Sequence, residues 1–428
     1  MSLTAIIIAA IIASVALGYY FSINIGLFAI GFGYLIGAFM MGLKVKEIVS
    51  MWPTNLFFLI MSITFFYGFA VANGTLEQIA RKTVFAARRF PFLVPIALYL
   101  LAVVMSGIGP GPYAVFVFLS PLVMAIAAET GMSRLLGAVI VVGGGVAGGF
   151  TQLSIGGGIT KGLIEKAGYV AQAEVFTYSV FWNSLFAETI VFVLAYLLLG
   201  GYKIKPVKMD TPPAFTRAQR INMVLIVGAL AAVVLPSTLA SFFPQIAVLT
   251  MLKNQLDVTF VSVIAAVLAL LFKVGSEKEA LSKVPWSTII LLCGMGVLIE
   301  VAVKAGTIKE LAAWMAGNVS LGSAPIVLAL VAAVMSFFSS TMGVVMPTLY
   351  PIVPGIATSV GANPAVLFSI ITVAAAFTGF SPFSSGGALA LTGVTDEKER
   401  KKLFTQLLFL PFGAGVLALI MVATGLIR

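Results

Sequence analysis

The chain has no histidine, a single cysteine and few charged side chains, only 9% of its 428 residues. Without histidine there are no imidazole metal ligands, no histidine general bases and no histidine switches near neutral pH. One cysteine, Cys293, sits inside an apolar run, so no disulfide framework exists. Clustered acids are also missing, which leaves no acid–base or metal constellation and speaks against an enzyme. What is abundant is apolar: 61% of residues are hydrophobic. Many runs approach the ~20 residues that cross a bilayer, so the chain reads as an all-α polytopic membrane protein. The net charge of +10 does not imply nucleic acid, because the Lys and Arg lie in short loops between apolar runs. The first run, from Leu3 to about Phe21, has no basic residue before it and no small-residue cleavage site, and reads as a retained helix.

Residues 102–157 recur 230 positions later as 332–387. Met105-Ser106 fall on Met335-Ser336, Pro121 on Pro351, Gly131 on Gly361, Gly149-Phe150 on Gly379-Phe380, Ser154 on Ser384 and Gly156-Gly157 on Gly386-Gly387. A polar, helix-breaking stretch kept twice in an apolar chain points to a transport site. Two repeats follow, 1–200 and 221–428, joined by a linker at 201–220. Crossings are expected near 3–22, 25–43, 54–73, 134–167 and 176–200. In the second repeat they fall near 221–243, 256–273, 287–305, 364–394 and 403–427. The fourth of each set is overlong and broken. Two apolar stretches remain, 91–128 and 322–357, each splitting into pieces of about 15 residues, too short to cross a core of about 30 Å. They read as re-entrant hairpins, the alternative being one kinked helix each. Amphipathic segments precede them at 75–90 and 307–319, suited to the interface.

Five crossings per repeat invert the second repeat. With the linker in the cytoplasm, that side holds 17 of the 25 Lys and Arg, as the positive-inside rule requires. Both termini then lie outside.

The first tip is Ser106-Gly107-Ile108-Gly109-Pro110-Gly111-Pro112, and the second runs from Ser336 through Ser339, Ser340 and Thr341 to Gly343. Free amides after Pro112, at Tyr113 and Ala114, favour an anion, and hydroxyls serve carboxylate or cation. Gly109, Pro110, Gly111, Pro112, Thr151, Gln152, Ser339, Ser340, Thr341, Pro382 and Ser384 are therefore expected to hold substrate. Ser106, Gly107, Ser154, Gly156, Ser336, Ser339, Thr341, Ser381, Ser385 and Gly386 are expected to hold a cation, Na⁺ first among candidates. Gly143–Gly145 and Gly148-Gly149 read as close-packing positions. Glu188, midway along 176–200, either relays a proton or pairs with a polar neighbour. Glu300, with Lys304 one turn later, reads as a structural ion pair.

Paired opposed hairpins, broken helices and a Ser-Ser-Thr tip followed by Pro resemble the ion-transporter superfamily. The chain is most similar to its divalent anion–sodium symporters and malonate-type dicarboxylate carriers. Gly109–Pro112 resembles the first tip of the malonate-type carriers, and SSTMGVVMPTLYPIVP and SPFSSGGAL resemble the second-half motifs. The resemblance implies a scaffold domain that dimerises and a transport domain that moves as an elevator in a prokaryotic inner membrane. It implies that Ser339, Ser340 and Thr341 contact carboxylate and Na⁺, faced by Ser381, Ser384, Ser385 and Gly386. This chain departs from the pattern twice: Ser340 stands where the family has Asn, and the first tip lacks the Ser-Asn-Thr triad. The expected function is import of a small dicarboxylate, malonate or a C4 acid, by cation symport. The competing expectations are the membrane subunit of a tripartite, binding-protein-dependent carrier and a proton-coupled carrier or antiporter.

Overall fold

Gly, Pro and Ser clusters cut this apolar chain into short helices. The computed structural model describes residues 2–109, 111–206, 210–243, 245–307, 310, 313–314, 320, 322–337, 339–394 and 396–427. Among them there are helices and no strand. The first half of the chain contains α1 (Leu3–Phe21), α2 (Ile25–Leu35, continued by a π-helical turn to Met40), α3 (Val45–Ser50), α4 (Thr54–Ala72) and α5 (Thr75–Ala87). It continues with α6 (Leu93–Gly107), α7 (Gly111–Thr130), α8 (Arg134–Gly149), α9 (Ile155–Lys166) and α10 (Ala173–Leu198). The second has α11 (Arg217–Phe242), α12 (Ala247–Gln255), α13 (Val258–Leu271), α14 (Glu277–Ser282) and α15 (Trp286–Lys304). After these come α16 (Ala324–Phe337), a π-helical turn (Thr341–Val345), α17 (Met346–Leu349), α18 (Val353–Val360), α19 (Pro364–Thr378), α20 (Ser385–Thr392) and α21 (Glu397–Ala423).

Each of the ten expected crossings falls on helix. The short helices α3, α12 and α14 were not read from the sequence. Among the described residues three helical stretches are by themselves long and apolar enough to cross a bilayer: Val170–Leu198, Thr341–Val360 and Glu397–Ala423. Seven apolar helices are shorter, 10–17 residues, and two of them, Arg134–Gly149 and Pro364–Thr378, end at the two breaks. The amphipathic α5 turns 62° away from α4. Of the segment 307–319 only Thr307, Glu310, Ala313 and Trp314 are described, so that expectation lies outside the described residues.

The hairpin limbs differ from expectation in length. α6 and α16 have 15 and 14 residues, but the limbs after the tips, Gly111–Thr130 and Thr341–Val360, each have 20. Twenty residues rise about 30 Å if straight, so limb length alone does not make these segments dead ends. Neither limb is straight. α7 bends by 44° between Gly111–Val117 and Leu119–Thr130. Pro121 explains the bend, because its ring nitrogen cannot donate to the preceding turn. The second limb carries Pro347, Pro351 and Pro354 and changes from π to α to 3₁₀ and back to α.

The 230-residue echo is visible in atomic contacts. α8 stops at Gly149 and α9 starts at Ile155; α19 stops at Thr378 and α20 starts at Ser385. In the first break Ser154 N donates to Thr151 O at 3.0 Å, and in the second Ser384 N donates to Ser381 O at 3.0 Å. Gly156 packs its bare Cα on the Gly149 carbonyl, and Gly386 does so on the Gly379 carbonyl. Gly157 lies on the Thr151 carbonyl and Gly387 on the Ser381 carbonyl. Gly131 and Gly361, at φ +73 and +69°, both take the left-handed conformation that closes a helix end.

Packing divides the helices into groups. α8 is central to one, touching α6, α7 and α10, and α10 continues to α19, which packs on α16 and α21. Gly144, Gly145, Gly148 and Gly149 let α8 approach Tyr99 and Ala102, Phe116, the Val103 carbonyl and Pro112 in turn. α4, α11, α13 and α14 pack together, and α1, α2 and α15 enclose a separate apolar core around Ile7, Ala29, Met295 and Leu298.

Candidate functional site

The first tip is pinned from two sides. Thr151 donates its hydroxyl to the Gly107 carbonyl, and Ile155 N donates to Gly109 O at 3.3 Å. From α4, the Tyr67 hydroxyl donates to the Ile108 carbonyl, with its ring against Gly109. Gly109 and Gly111 hold φ +148 and +74°, conformations open to glycine. Pro110 lies outside the described residues, and Pro112 is buried against Gly145 and Gly149. Gln152 does not join the tip; its amide reaches the Glu174 carbonyl at 3.5 Å on the exposed side.

Ser106 and Ser154 are 0 and 1% exposed, and neither hydroxyl has a hydrogen-bond partner among the described residues. Their counterparts in the second half are paired. Ser336 Oγ meets Thr341 Oγ1 at 3.1 Å, and Ser384 donates to Ser339 O at 2.7 Å. Ser339 donates to Met335 O at 2.6 Å. Ser340 caps the π-helical turn, accepting from Gly343 N at 3.0 Å. Ser381 and Pro382 are buried, and Ser381 Oγ accepts from Phe383 N at 3.2 Å. Every second-half candidate except Gly386 thus lies on the tip Ser336–Thr341 or the break Ser381–Ser385. Gly386, in the first turn of α20, packs on the Gly379 carbonyl.

The two halves meet at a residue that the sequence did not single out as a ligand. Tyr113, in the first turn of α7, places its hydroxyl 2.5 Å from Ser340 Oγ, and Ser385 is a further hydrogen-bonding neighbour. Beside it, Gly156 approaches Met342, and Gly386 approaches Val142. The repeat carried one signal for this: Tyr113 aligns with Gly343, so one tip has a phenol where the other has no side chain. Around the junction stand hydroxyls of Tyr113, Ser340, Thr341 and Ser385 and the first turns of α7, α9 and α20. None of the tip or break segments contains Lys or Arg. Helix starts and hydroxyls can hold a carboxylate, and hydroxyl and carbonyl oxygens can hold a hard cation. Among the described residues no group of three or more His, Cys, Asp or Glu side chains converges to hold a metal ion.

Residues 1–149 match the family model described as the N-terminus of the dicarboxylate carrier protein MatC. The match ends on the last residue of α8 and so includes the first tip, Tyr113 and the α8 glycines, but neither break nor the second tip. No curated protein matches the sequence. The YdaH transporter of Alcanivorax borkumensis, a crystal structure reported to have an unusual topology, shares the fold with a TM-score of 0.60. That likeness covers 89% of this chain and 87% of YdaH at 15% identity. The N-terminal third is thus similar to a dicarboxylate carrier, and most of the chain shares its fold with the YdaH transporter.

The expected Glu300–Lys304 pair is replaced by two longer-range pairs. Lys166 Nζ lies 2.6 Å from Glu300 Oε1, and Lys304 Nζ lies 3.0 Å from Glu47 Oε2. Lys166 at the end of α9 and Glu47 in α3 thus reach the two charges of α15, which pair with them and not with each other. These half-exposed pairs contribute little stability, on the order of 0–1 kcal/mol each.

Proposed function

We propose that this chain is a secondary active transporter that imports a small dicarboxylate by cation symport, with Na⁺ as a coupling ion. The observation that carries the reading is the meeting of the two tips at Tyr113 and Ser340, where hydroxyls and helix starts converge without a formal positive charge. Such a grip holds a dianion best when a cation is bound with it. Ser106 and Ser154, buried and unpartnered among the described residues, supply oxygen for that cation at the first break. A dianion entering against a negative-inside potential is opposed by about 2.3 kcal/mol per charge per 100 mV, so at least two cations are needed to neutralise the step.

The architecture behind this reading is a pair of inverted repeats, 1–200 and 221–428, with re-entrant tips opening from opposite faces. Contacts at the two ends support it. Lys166, Glu300, Lys304 and Glu47, all assigned to the outer face by the charge bias, pair with one another. Residues assigned to the cytoplasmic face also meet: Gln219 donates to Asn73 O at 3.1 Å, and Lys205 N donates to Thr130 O at 2.9 Å. In this reading α6–α10 and α16–α21 form the transport domain. α1, α2, α4, α11, α13 and α15 form a scaffold that dimerises in a prokaryotic inner membrane, and the transport domain slides as an elevator.

Uptake of labelled malonate and succinate into proteoliposomes holding the purified chain tests this directly. An inward Na⁺ gradient is expected to drive accumulation. Uptake indifferent to Na⁺ would refute Na⁺ coupling, and uptake that requires an added binding protein would make the chain one subunit of a tripartite carrier. Tyr113→Phe removes the hydroxyl that joins the tips. It is expected to weaken substrate binding about 2- to 10-fold, the value of one hydrogen bond of 0.5–1.5 kcal/mol. Thermal-shift titration measures this; an unchanged affinity would place Tyr113 outside the grip.

A further inference from the structure

One buried carboxyl group plays no part in the grip. Glu188 lies midway along α10 and is 1% exposed. Neither of its oxygens has a hydrogen-bond partner among the described residues, and neither has the hydroxyl of Ser184, one turn earlier on the same face. A Cβ added to Gly143 of α8 would sit 3.1 Å from Glu188 Oε2 and 3.4 Å from Phe380 Cζ. The carboxyl group thus lies against α8 at Gly143, the same glycine that Phe380 faces just after α19 ends. It therefore sits on the first broken helix, beside a residue of the second break.

No cation faces it. On α6 the Tyr99 hydroxyl is engaged with Thr189 Oγ1 at 3.1 Å. The ionisable group of α8 is Arg134 at its first residue, which donates to the Met124 carbonyl. On α9, Lys161 and Glu165 pair with each other at 4.0 Å, and Lys166 pairs with Glu300. α19 has no ionisable side chain. Tyr202 and Lys203, in the 3₁₀ turn packed on α10, follow the end of that helix. Glu174, Tyr178 and Tyr196 on α10 itself are eight or more residues from Glu188, about 12 Å or more along the axis. A carboxylate buried without such a partner requires a proton or a bound cation as counter-charge. Hard cations take about six oxygens or more, and the site offers two carboxyl oxygens and one hydroxyl. A proton needs only one.

A polar string leads away from it. Asn183 Nδ2 donates to Ser369 Oγ of α19 at 3.2 Å and to the Ser179 carbonyl at 2.8 Å, and Ser179 Oγ lies 3.2 Å from Ser369 Oγ. Ser184 follows Asn183 in the chain and precedes Glu188 by one turn, its hydroxyl bonded to neither among the described residues. The string points to the start of α10, where Gln172 and Glu174 are exposed. We propose that Glu188 is a proton-binding site coupled to transport, reached through Ser179, Ser369, Asn183 and Ser184. One proton adds to a carboxylate oxygen from the outer face and leaves it to the cytoplasm, entering with the dianion beside Na⁺. The proposal rests on the transport reading and deepens it.

The test uses proteoliposomes of the full chain with a trapped pH dye and labelled malonate or succinate. With one proton per substrate, an acid-outside gradient of one pH unit is expected to raise accumulation about tenfold, with internal acidification on substrate addition. Glu188→Gln should abolish both responses, and Ser184→Ala should slow the proton-driven component several-fold. Na⁺-driven uptake in the wild type that ignores the pH gradient overturns the proton site and leaves symport standing. Absence of uptake under every gradient overturns the transport reading instead, and infrared spectroscopy of the reconstituted chain then decides. A protonated-carboxyl band lost in Glu188→Gln, but retained in Ser184→Ala, supports proton binding. No such band in the wild type refutes it.

Discussion

Alanine at Gly157 or at Gly387 is expected to disable the protein. A methyl group at Gly157 would overlap the Thr151 carbonyl, and one at Gly387 would overlap the Phe380 and Ser381 carbonyls. The obstructing atoms are backbone, so no side-chain rotation relieves the overlap. The break must open, and with it the turn that holds Ser154 or Ser384 at the start of the following half-helix. Overpacking of this kind costs about 1–3 kcal/mol, occasionally more, and the upper end applies where backbone must move. We expect a clear fall in melting temperature and loss of substrate binding in both variants. Gly162→Ala is the control: it lies on α9, where an added methyl group meets nothing within 4 Å. There the higher helix propensity of alanine should leave stability unchanged or raised by up to about 1 kcal/mol. Equal damage from all three would show that the breaks are not special.

Thr341→Ala should weaken anion and cation binding together. The Thr341 hydroxyl meets Ser336 at 3.1 Å and faces Gly379, so it stands where the second tip touches the second break. A hydrogen bond to a charged group contributes about 1.5–3 kcal/mol, which corresponds to a loss of roughly 10- to 100-fold in affinity. In the proposed grip the dianion and a cation are held together, so Na⁺ affinity should fall with that of the dicarboxylate. Thr348→Ala removes a hydroxyl that donates to the Val344 carbonyl one turn back and should leave both affinities intact. Thermal-shift titrations of each variant with malonate, with and without Na⁺, separate these outcomes. An unaltered Thr341→Ala would mean that the tip contacts neither ligand.

These expectations draw on features of different legibility. The breaks could be read from the sequence, because Gly, Pro and Ser clusters end helices locally and the 230-residue echo marked them twice. The crossings could be read for the same reason, since apolar runs set helix position in a membrane. The limb lengths could not. Pro121, Pro351 and Pro354 bend helices rather than end them when neighbouring turns continue the hydrogen bonding, so limbs expected to have about 15 residues run to 20. Long-range partnerships were also invisible. Tyr113 meets Ser340 across 227 positions and Lys166 meets Glu300 across 134, and local spacing suggested Lys304 in its place. Glu188 stood out as an acid in an apolar run, but only the fold sets Gly143 against it.

Calorimetric titration of malonate and succinate into the purified chain, in Na⁺ and in a choline buffer, addresses the grip itself. Hydroxyls and helix starts without lysine or arginine should bind a dicarboxylate measurably in Na⁺, and far more weakly once Na⁺ is replaced. Equal affinity in both buffers, or no heat with either acid, would contradict the account.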